Sequence, residues 1–300
     1  MIALQTTRMP LATGVELDVT HGGTGEPIIF LHGFPESHRT WRYQLADLGH
    51  DHHVVAPDQR GYARSSKPDG VDAYRADRIV DDVLALADAL GIDRFTLVGH
   101  DWGGAAAWLA ALKVPNRVAR LVILNAPHPL LFQRSLFDDP AQAAASQYMN
   151  AFRTPGIEDG IAAMGLDTFF DKSFAPHVDM SKLTDADRAA YIDEWSQPGA
   201  ITAMLNWYRA ANIVVPRPGE ATERPAWIDA PFPKLRMPVL VIWGLRDKAL
   251  LPLQLEGLDA LIDDLTIVRV PEAGHFVTWE APHAVTSAIR AFLAARPLPA

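Results

Sequence analysis

Three residues, Asp101, Asp247 and His275, have the side-chain types and the order along the chain that covalent hydrolysis requires. Each follows an apolar run typical of a buried strand, so all three should lie on loops at the carboxyl edge of one sheet. A carboxylate is ionised at pH 7 and can displace a leaving group from a strained or polarised saturated carbon, forming an ester that water must then cleave. We expect Asp101 to be the nucleophile, His275 to activate the water as general base, and Asp247 to orient the histidine.

The segment around Asp101 predicts a tight turn between a strand and a helix. The apolar run 95–98 is followed by the sequence Gly99-His100-Asp101-Trp102-Gly103 and then by an alanine-rich helical stretch from Gly104 to Lys113. Glycine at both ends suits a bend in which side chains would collide with neighbouring backbone. We therefore expect Asp101 to have a strained backbone and to project its carboxylate clear of the sheet.

A second loop should supply hydrogen-bond donors to the ester. The sequence His32-Gly33-Phe34-Pro35 follows the apolar run 27–31, which indicates a buried central strand. The backbone N–H groups of Phe34 and Trp102 are expected to form an oxyanion hole, which would stabilise the charge produced when water attacks the ester carbonyl of Asp101. His32 itself is interpreted as a structural residue that bonds to the loop backbone.

Each catalytic assignment has a structural alternative. Asp247, in the sequence Arg246-Asp247-Lys248, would by itself be typical of a turn, and His275 by itself would be a loop residue. The bend at Asp101 would also persist in a receptor that had kept the shape and lost the chemistry. Finding the three side-chain types at three strand ends, in the order nucleophile, acid, histidine, favours catalysis.

Alternating strands and helices must position these loops, and they predict the α/β class with a mostly parallel central sheet flanked by helices. Buried strands are indicated at 27–31, 53–56, 95–98, 118–124, 239–243 and 265–270, and helices at 77–90, 104–113 and 282–293. The alternation stops after His128, where helical, aromatic-bearing segments begin. We therefore predict a core formed by residues 1–128 and 229–300, with a helical cap at 129–228 inserted over the carboxyl ends of the strands.

The composition narrows the possible classes of protein. The 300 residues are 49% hydrophobic, carry a formal net charge of −9 and include no cysteine. These values fit one core with an insertion and exclude disulfide frameworks and thiolate metal sites. The absence of a basic run argues against nucleic-acid and membrane partners. No signal peptide or membrane span is indicated, so we expect a cytoplasmic monomer or homodimer that uses no cofactor and no metal, with His50-Asp51-His52-His53 as a solvated loop.

Four motifs resemble those of the soluble epoxide hydrolases of the α/β-hydrolase fold. They are HGFPES from His32, DQRGYARS from Asp58, VGHDWGG from Val98 and AGHF from Ala273, and the similarity extends from Ile2 to about Leu293. The resemblance implies the α/β-hydrolase fold and an enzyme that converts an epoxide into a vicinal diol through an ester on Asp101. Its expected partners are a small apolar epoxide and water.

The resemblance also implies two cap tyrosines that hydrogen-bond the epoxide oxygen. Tyr208 lies in the segment 205–209 (LNWYR), which matches the family closely, and Tyr148 precedes the segment 152–156 (FRTPG) at the matching position, although residues 149–151 depart from the typical ones. Charge grows on the epoxide oxygen as the ring opens, and two phenol donors would stabilise that charge and supply a proton. Each tyrosine could instead be an amphipathic cap residue with its hydroxyl in water.

Other side chains near the motifs receive further interpretations. Glu36 is interpreted as a loop contact, and His128 as either a neighbour of the site or a hinge residue. The residues expected to contact the substrate are aromatic, namely Phe34, Trp102, Trp207 and Phe276.

Two alternative functions remain open at this point. Haloalkane and haloacetate dehalogenases share much of the motif set, but Phe34 would offer a halide only its backbone N–H, and the region of Trp102 and Ala105 holds no arginine to pair a substrate carboxylate. The alternative from a different class is a catalytically degenerate receptor that binds a ligand.

Overall fold

The computed structural model describes residues 3–298, and an eight-stranded sheet forms its centre. The order across the sheet is β1-β2-β4-β3-β5-β6-β7-β8. The β1–β2 and β2–β4 pairs are antiparallel and the other five pairs are parallel, which confirms the predicted α/β class and mostly parallel sheet. The strands are β1 (Gln5–Pro10), β2 (Glu16–Gly22), β3 (Glu26–Leu31), β4 (His52–Pro57), β5 (Phe95–His100), β6 (Val118–Leu124), β7 (Val239–Gly244) and β8 (Leu265–Val270).

Helices connect the strands and cover the sheet. The α-helices are α1 (Arg42–Leu48), α2 (Ala76–Ala89), α3 (Asp101–Lys113), α4 (Pro129–Asp138), α5 (Pro140–Ala145), α6 (Gln147–Phe152), α7 (Ile157–Met164), α8 (Leu166–Phe169), α9 (Asp185–Trp195), α10 (Ala200–Ala210), α11 (Val277–Glu280) and α12 (Pro282–Ala295). Short 3-10 helices occupy His38–Trp41, Val71–Tyr74, Ala175–His177, Met180–Lys182, Ala226–Asp229, Pro252–Leu255 and Leu258–Ala260, and a π-helix occupies Phe170–Phe174. Among residues 3–298, no helix combines the length and the apolar character that a membrane span needs.

The central strands are buried on both faces because successive side chains point to opposite sides of a sheet. In β3, Ile28 and Phe30 pack into one layer, whereas Ile29 and Leu31 pack into the other. Helices α1 and α12 supply the first layer, and α2 and α3 supply the second. These continuous apolar runs are the signal that made the parallel strands predictable.

Residues 129–229, called here the helical insertion, lie between β6 and β7 and contain α4 to α10 without a strand. Helix α9 is tied to the loop that follows β3. The indole N–H of Trp195 donates to the carbonyl oxygen of Pro35 at 2.7 Å, and the hydroxyl of Ser37 donates to Glu194 at 3.0 Å. The insertion is therefore held against a loop at the carboxyl edge of the sheet.

The structure extends the sequence prediction at two places. Strand β1 was not predicted, because its residues are mostly exposed and lack apolar alternation. It is held at the sheet edge by pairing with β2, where Arg8 forms ion pairs with Glu16 and Asp18. Helix α3 begins at Asp101 itself, not at Gly104.

Candidate active site

Asp101 occupies a strained bend between β5 and α3. Its φ angle is +50°, in the left-handed region that residues other than glycine rarely adopt. A Cβ atom at Gly99 would collide with the backbone of Gly103, and one at Gly103 would collide with the carbonyl group of Leu31. The tight turn predicted from the glycine spacing is therefore present, and it places the Asp101 carboxylate at the edge of the sheet.

The loop after β3 approaches this carboxylate closely. A Cβ atom at Gly33 would overlap the side chain of Asp101, so glycine allows the approach. The backbone N–H of Phe34 donates to Asp101 Oδ1 at 2.7 Å. The N–H of Trp102 belongs to the first turn of α3, where N–H groups lack intrahelical acceptors. One carboxylate oxygen is thus held by the backbone, and Oδ2 is left free to react.

Asp247 and His275 join Asp101 from the ends of two other strands. Asp247 follows β7, and its Oδ2 lies 2.7 Å from Nδ1 of His275, which follows β8. Oδ1 of Asp247 accepts the backbone N–H groups of Ala249 and Leu250 at 2.9 Å each. Nε2 of His275 lies 3.6 Å from Asp101 Oδ2. The three side chains singled out from the sequence are thus brought together in one buried site.

Opposite charges couple these groups. Burial lowers the pKa of His275, but the charge and hydrogen bond of Asp247 and the facing carboxylate of Asp101 outweigh it, so this pKa stands well above its usual value. Burial raises the pKa of Asp101, yet the facing His275, the charge of His100 and the N–H of Phe34 bring it below its usual value. In the free protein, an Asp101 carboxylate therefore faces an imidazolium.

A cavity of about 220 Å³ opens in front of Asp101. Tyr148 from α6 and Tyr208 from α10 line it, with ring centroids 6.1 Å apart. Burial and the negative charge of Asp101 raise the pKa of both phenols above the usual value. Both hydroxyl groups therefore keep their protons at neutral pH and can act as hydrogen-bond donors.

A second cavity, of about 240 Å³, also reaches Asp101 and Tyr148. Its walls are mostly apolar and come from α3 and the helical insertion; among them are Leu109, Phe132, Met149, Ile213 and Trp227. Because both cavities share Asp101 and Tyr148, the carboxylate lies where two spaces meet.

The residues expected to contact the substrate divide between the two cavities. Phe34 and Phe276 line the first cavity, and Trp102 lines the second. Trp207 lines neither of these two cavities, so its substrate contact stays a prediction without support from the cavity walls. Its indole N–H donates to the carbonyl oxygen of Arg60 at 3.1 Å, and its buried ring packs edge-on against Tyr62.

Glu36 is part of a buried network rather than the simple loop contact that the sequence indicated. Its Oε1 accepts the hydroxyl of Tyr191 at 2.8 Å and the indole N–H of Trp279 at 2.9 Å, and its Oε2 lies 3.4 Å from Nδ1 of His100. Nε2 of His100 lies 2.8 Å from the carbonyl oxygen of His275. A carbonyl only accepts, so His100 must donate through Nε2. The network thereby supports the backbone of the His275 loop.

Two other histidines, His32 and His128, are interpreted as structural residues from their contacts. His32 accepts the N–H of Gln59 through Nε2 at 3.0 Å and lies fully buried in the loop, as expected for a structural residue. His128 lines neither cavity and packs between the rings of Trp108 and Phe232, which favours the hinge interpretation. Within residues 3–298, no group of three or more histidine or acidic side chains is arranged to hold a metal ion.

Comparisons with known proteins identify the family. The family model of the α/β hydrolase fold matches residues 26–282. The AB hydrolase superfamily protein YfhM of Bacillus subtilis is 36% identical over 93% of this chain and 95% of its own length, and epoxide hydrolase 4 of Homo sapiens is 30% identical over 92% of this chain and 74% of its own length. A solved structure from work on novel epoxide hydrolases in metagenomes from hot environments has a TM-score of 0.90 and 46% identity, covering 97% of this chain and 99% of that one. The chain therefore belongs to the epoxide hydrolase family of the α/β hydrolases.

Proposed function

We propose that this protein is an epoxide hydrolase that converts an epoxide into a vicinal diol through a covalent ester on Asp101. The observation that carries the proposal is the surroundings of that carboxylate. One oxygen is bonded by Phe34, the other faces the His275–Asp247 pair, and two phenols line the cavity in front of it. The family membership supports the same activity.

In the first step, Asp101 Oδ2 attacks an epoxide carbon. A bond forms between this oxygen and the carbon as the carbon–oxygen bond of the ring breaks. The released alkoxide takes a proton from the phenol of Tyr148 or Tyr208. Both phenols keep their protons at neutral pH, and an alkoxide is a strong enough base to take one of them. The step converts a charged carboxylate into a neutral ester.

The loss of that charge prepares His275 for the second step. The Asp101 carboxylate is one of the groups that raise the pKa of His275 in the free protein. Once Asp101 is an ester, the pKa of His275 falls and its proton can leave, which restores the phenol that was deprotonated. Neutral His275 can then accept a proton from water, while Asp247 holds the opposite ring nitrogen.

Hydrolysis would occur at the carbonyl carbon of Asp101. The activated water attacks this carbon, and the N–H groups of Phe34 and Trp102 would stabilise the negative charge on the carbonyl oxygen. The bond between this carbon and the diol oxygen breaks, and the diol oxygen takes the proton of the hydroxyl group that water added to the carbon. The Asp101 carboxylate then faces an imidazolium again. No cofactor is required by these steps.

The two cavities support an apolar epoxide with substituents on both sides of the ring. Each cavity reaches Asp101, so one substituent can extend into each. Neither cavity wall includes an arginine among the described residues, which argues against the carboxylate clamp of a haloacetate dehalogenase.

We propose residues 129–228 as the cap that supplies both tyrosines and closes the site against bulk water.

A single turnover in water enriched in ¹⁸O tests the ester. The oxygen of water should enter the Asp101 carboxylate and be absent from the diol formed in the first cycle, because water attacks the carbonyl carbon of the ester. Mass spectrometry of the peptide containing Asp101 and of the product gives both measurements. Label found in the first-cycle diol would instead indicate direct attack of water on the epoxide and would contradict the covalent route.

A further inference from the structure

Asn125 is a fully buried residue at the carboxyl end of β6, next to the proposed catalytic site. Its φ angle is +37°, so its backbone adopts the left-handed region that asparagine tolerates better than most residues. Its backbone N–H donates to the carbonyl oxygen of Ile242 at 3.2 Å, which continues the pairing of β6 with β7. The strained backbone turns the side chain toward the loop that carries Asp247.

The carboxamide of Asn125 bonds to both sides of that loop. Its Oδ1 accepts the backbone N–H of Gly244 at 2.8 Å, and its Nδ2 lies 3.3 Å from the carbonyl oxygen of Gly244. The same Nδ2 donates to Asp247 Oδ2 at 2.8 Å. Because the Gly244 N–H can only donate, the orientation of the amide is fixed, and its NH₂ group must face Asp247.

Asp247 Oδ2 therefore has two donors, the amide of Asn125 and Nδ1 of His275. Its other oxygen accepts two backbone N–H groups, from Ala249 and Leu250. Four donors satisfy the carboxylate, and the Asn125 amide shares the oxygen on which the imidazole depends. The uncharged amide of Asn125 thus fixes the orientation of the Asp247 carboxylate. It also weakens the electrostatic effect of Asp247 Oδ2 on His275, because it donates to the same oxygen.

We infer that Asn125 is a positioning residue for ester hydrolysis, acting through Asp247 to orient His275 and to keep it able to become neutral when water must be activated. The inference rests on the proposed function, because it assigns Asn125 to the second chemical step and not to the first. Alkylation of Asp101 does not require a neutral histidine, whereas hydrolysis does.

The substitution Asn125→Asp changes the amide into an acid of nearly the same shape. The charged or titratable groups that surround this position are Asp247 and His275 on the loops after β7 and β8, and His100 and Asp101 at the end of the neighbouring strand β5. Two carboxyl groups that share one site hold a proton between them. At the lower end of the pH range, the new carboxyl group at position 125 should therefore be protonated and should still donate to Asp247. Once that proton is lost, the second negative charge should raise the pKa of His275 in the ester, so that His275 becomes neutral only at higher pH than in wild type.

The test compares wild type with Asn125→Asp in stopped-flow alkylation and hydrolysis of styrene oxide across pH 6–9. We expect alkylation within about threefold of wild type. Hydrolysis should be about tenfold or more slower near neutral pH, a fraction of the 10²–10⁴ that a positioned general base contributes. In the variant, the rise of the hydrolysis rate with pH should also occur at higher pH than in wild type, because the added negative charge makes His275 harder to deprotonate.

The matched control is Gln254→Glu, which introduces the same amide-to-carboxylate change at another buried site. Within the described residues, Gln254 forms hydrogen bonds with Ser135 and Gln142 and with no member of the proposed triad. This control should leave the ratio of alkylation to hydrolysis unchanged. A second variant, Asn125→Ser, removes the amide without adding charge and should slow hydrolysis selectively, with a smaller shift of the pH profile than in Asn125→Asp. This variant also tests the inference if Asn125→Asp folds poorly.

Alkylation and hydrolysis that slow in parallel in both variants, with a pH profile parallel to wild type, would overturn this inference and leave Asn125 as a bridge between β6 and β7. That result would leave the proposed function intact, because wild type would still form and cleave the ester. If wild type forms no ester with styrene oxide or any other reactive epoxide, the proposed function and this inference are both overturned.

Discussion

The carboxylate of Asp101 and the imidazole of His275 face each other with Oδ2 and Nε2 3.6 Å apart. This separation is longer than a hydrogen bond, whereas Asp101 Oδ1 is bonded by Phe34 at 2.7 Å. The reactive oxygen is therefore stabilised by the histidine's charge without being bound tightly to it. An ester at Asp101 would remove the negative half of this ion pair. The first step would therefore use both residues as ions, and the second step would use Asp101 as a neutral ester and His275 as a neutral imidazole.

Replacing His275 by glutamine should separate the two steps. Glutamine cannot accept a proton from water, so the ester should form and then persist, with hydrolysis slowed by about 10²- to 10⁴-fold. Intact-protein mass spectrometry after mixing with styrene oxide should reveal the chain with one added substrate mass.

Two further variants control this measurement. Asp101→Ala removes the nucleophile and should acquire no added mass. His283→Gln makes the same substitution at an exposed histidine on α12 and should turn over like wild type. An unmodified His275→Gln chain that still releases diol at the wild-type rate would remove His275 from the mechanism.

The tyrosines should act on the first step. Tyr148→Phe and Tyr208→Phe each remove one donor to the developing alkoxide, and removal of one such donor costs about 10²- to 10³-fold in other enzymes. Stopped-flow tryptophan fluorescence should record slower alkylation, while the hydrolysis of any ester that forms changes less.

The matched control is Tyr43→Phe, because Tyr43 is 44% exposed and lines neither cavity. This variant should alkylate like wild type. If Tyr148→Phe and Tyr208→Phe alkylate at the rate of Tyr43→Phe, the phenols are pocket walls and not donors.

The pH dependence should differ between the free protein and the ester. In the free protein, Asp247 and Asp101 raise the pKa of His275 above its usual value. In the ester the Asp101 contribution is gone, so the pKa of His275 is lower. Hydrolysis needs neutral His275, so its rate should rise with pH through this lower pKa. The apparent pKa of the rise in kcat should therefore be lower than the pKa that NMR titration gives for His275 in the free protein. Equal values would contradict the proposed change of charge.

The parts of this site that follow apolar strands were predictable from the sequence. Asp101 and Asp247 follow β5 and β7, which are buried on both faces and have continuous apolar runs, and His275 follows the less buried edge strand β8. Parallel strands align their carboxyl ends, so the three residues had to meet at one edge. The glycine pair around Asp101 identified the bend because no other residue fits there.

Contacts between distant segments could not be predicted in this way. Glu36 draws its partners from α9, α11 and the end of β5, and nothing in its own loop indicates them. The direction of Trp207 depends on the side-chain packing of α10, which puts its indole against Tyr62 and leaves the adjacent Tyr208 in the cavity. Asn125 follows a predicted strand, but its side-chain partners become visible only once β6 and β7 are paired.

The second cavity should determine which epoxides are accepted. Ile213→Trp would fill part of this cavity from the helical insertion. We expect kcat/KM to fall by about tenfold or more for an apolar 1,2-disubstituted epoxide, because a pocket discriminates by the volume it can accept. A small terminal epoxide, which needs only one cavity, should be much less affected.

Met164→Trp is the control for the added indole, because Met164 is 43% exposed in the helical insertion and lines neither cavity. Equal losses for the two classes of epoxide in Ile213→Trp would show that this cavity does not hold a substituent. Chiral product analysis of the same reactions would record any change in the carbon that Asp101 attacks.

The buried histidine His128 should make stability depend on pH. It is 1% exposed, and neither ring nitrogen has a hydrogen-bond partner within the described residues. Burial lowers its pKa to about 4, against 6.5 for a free histidine. The unfolded chain therefore binds a proton more readily, so this contribution to stability is complete above pH 6.5 and decreases as the pH falls toward 4.

At about 1.4 kcal/mol per pKa unit, the loss over this range amounts to about 3 kcal/mol. His128→Phe keeps a ring between Trp108 and Phe232 and removes the titrating group. Urea unfolding should show a free energy of unfolding that falls less steeply below pH 6.5 in this variant, and one that is higher by about 1 kcal/mol at pH 7 because a buried polar group without a partner is gone. His50→Gln, on an exposed loop, controls for the loss of a histidine. Parallel stability curves for wild type and His128→Phe would mean that His128 does not titrate in this range, and that another group causes the acid sensitivity.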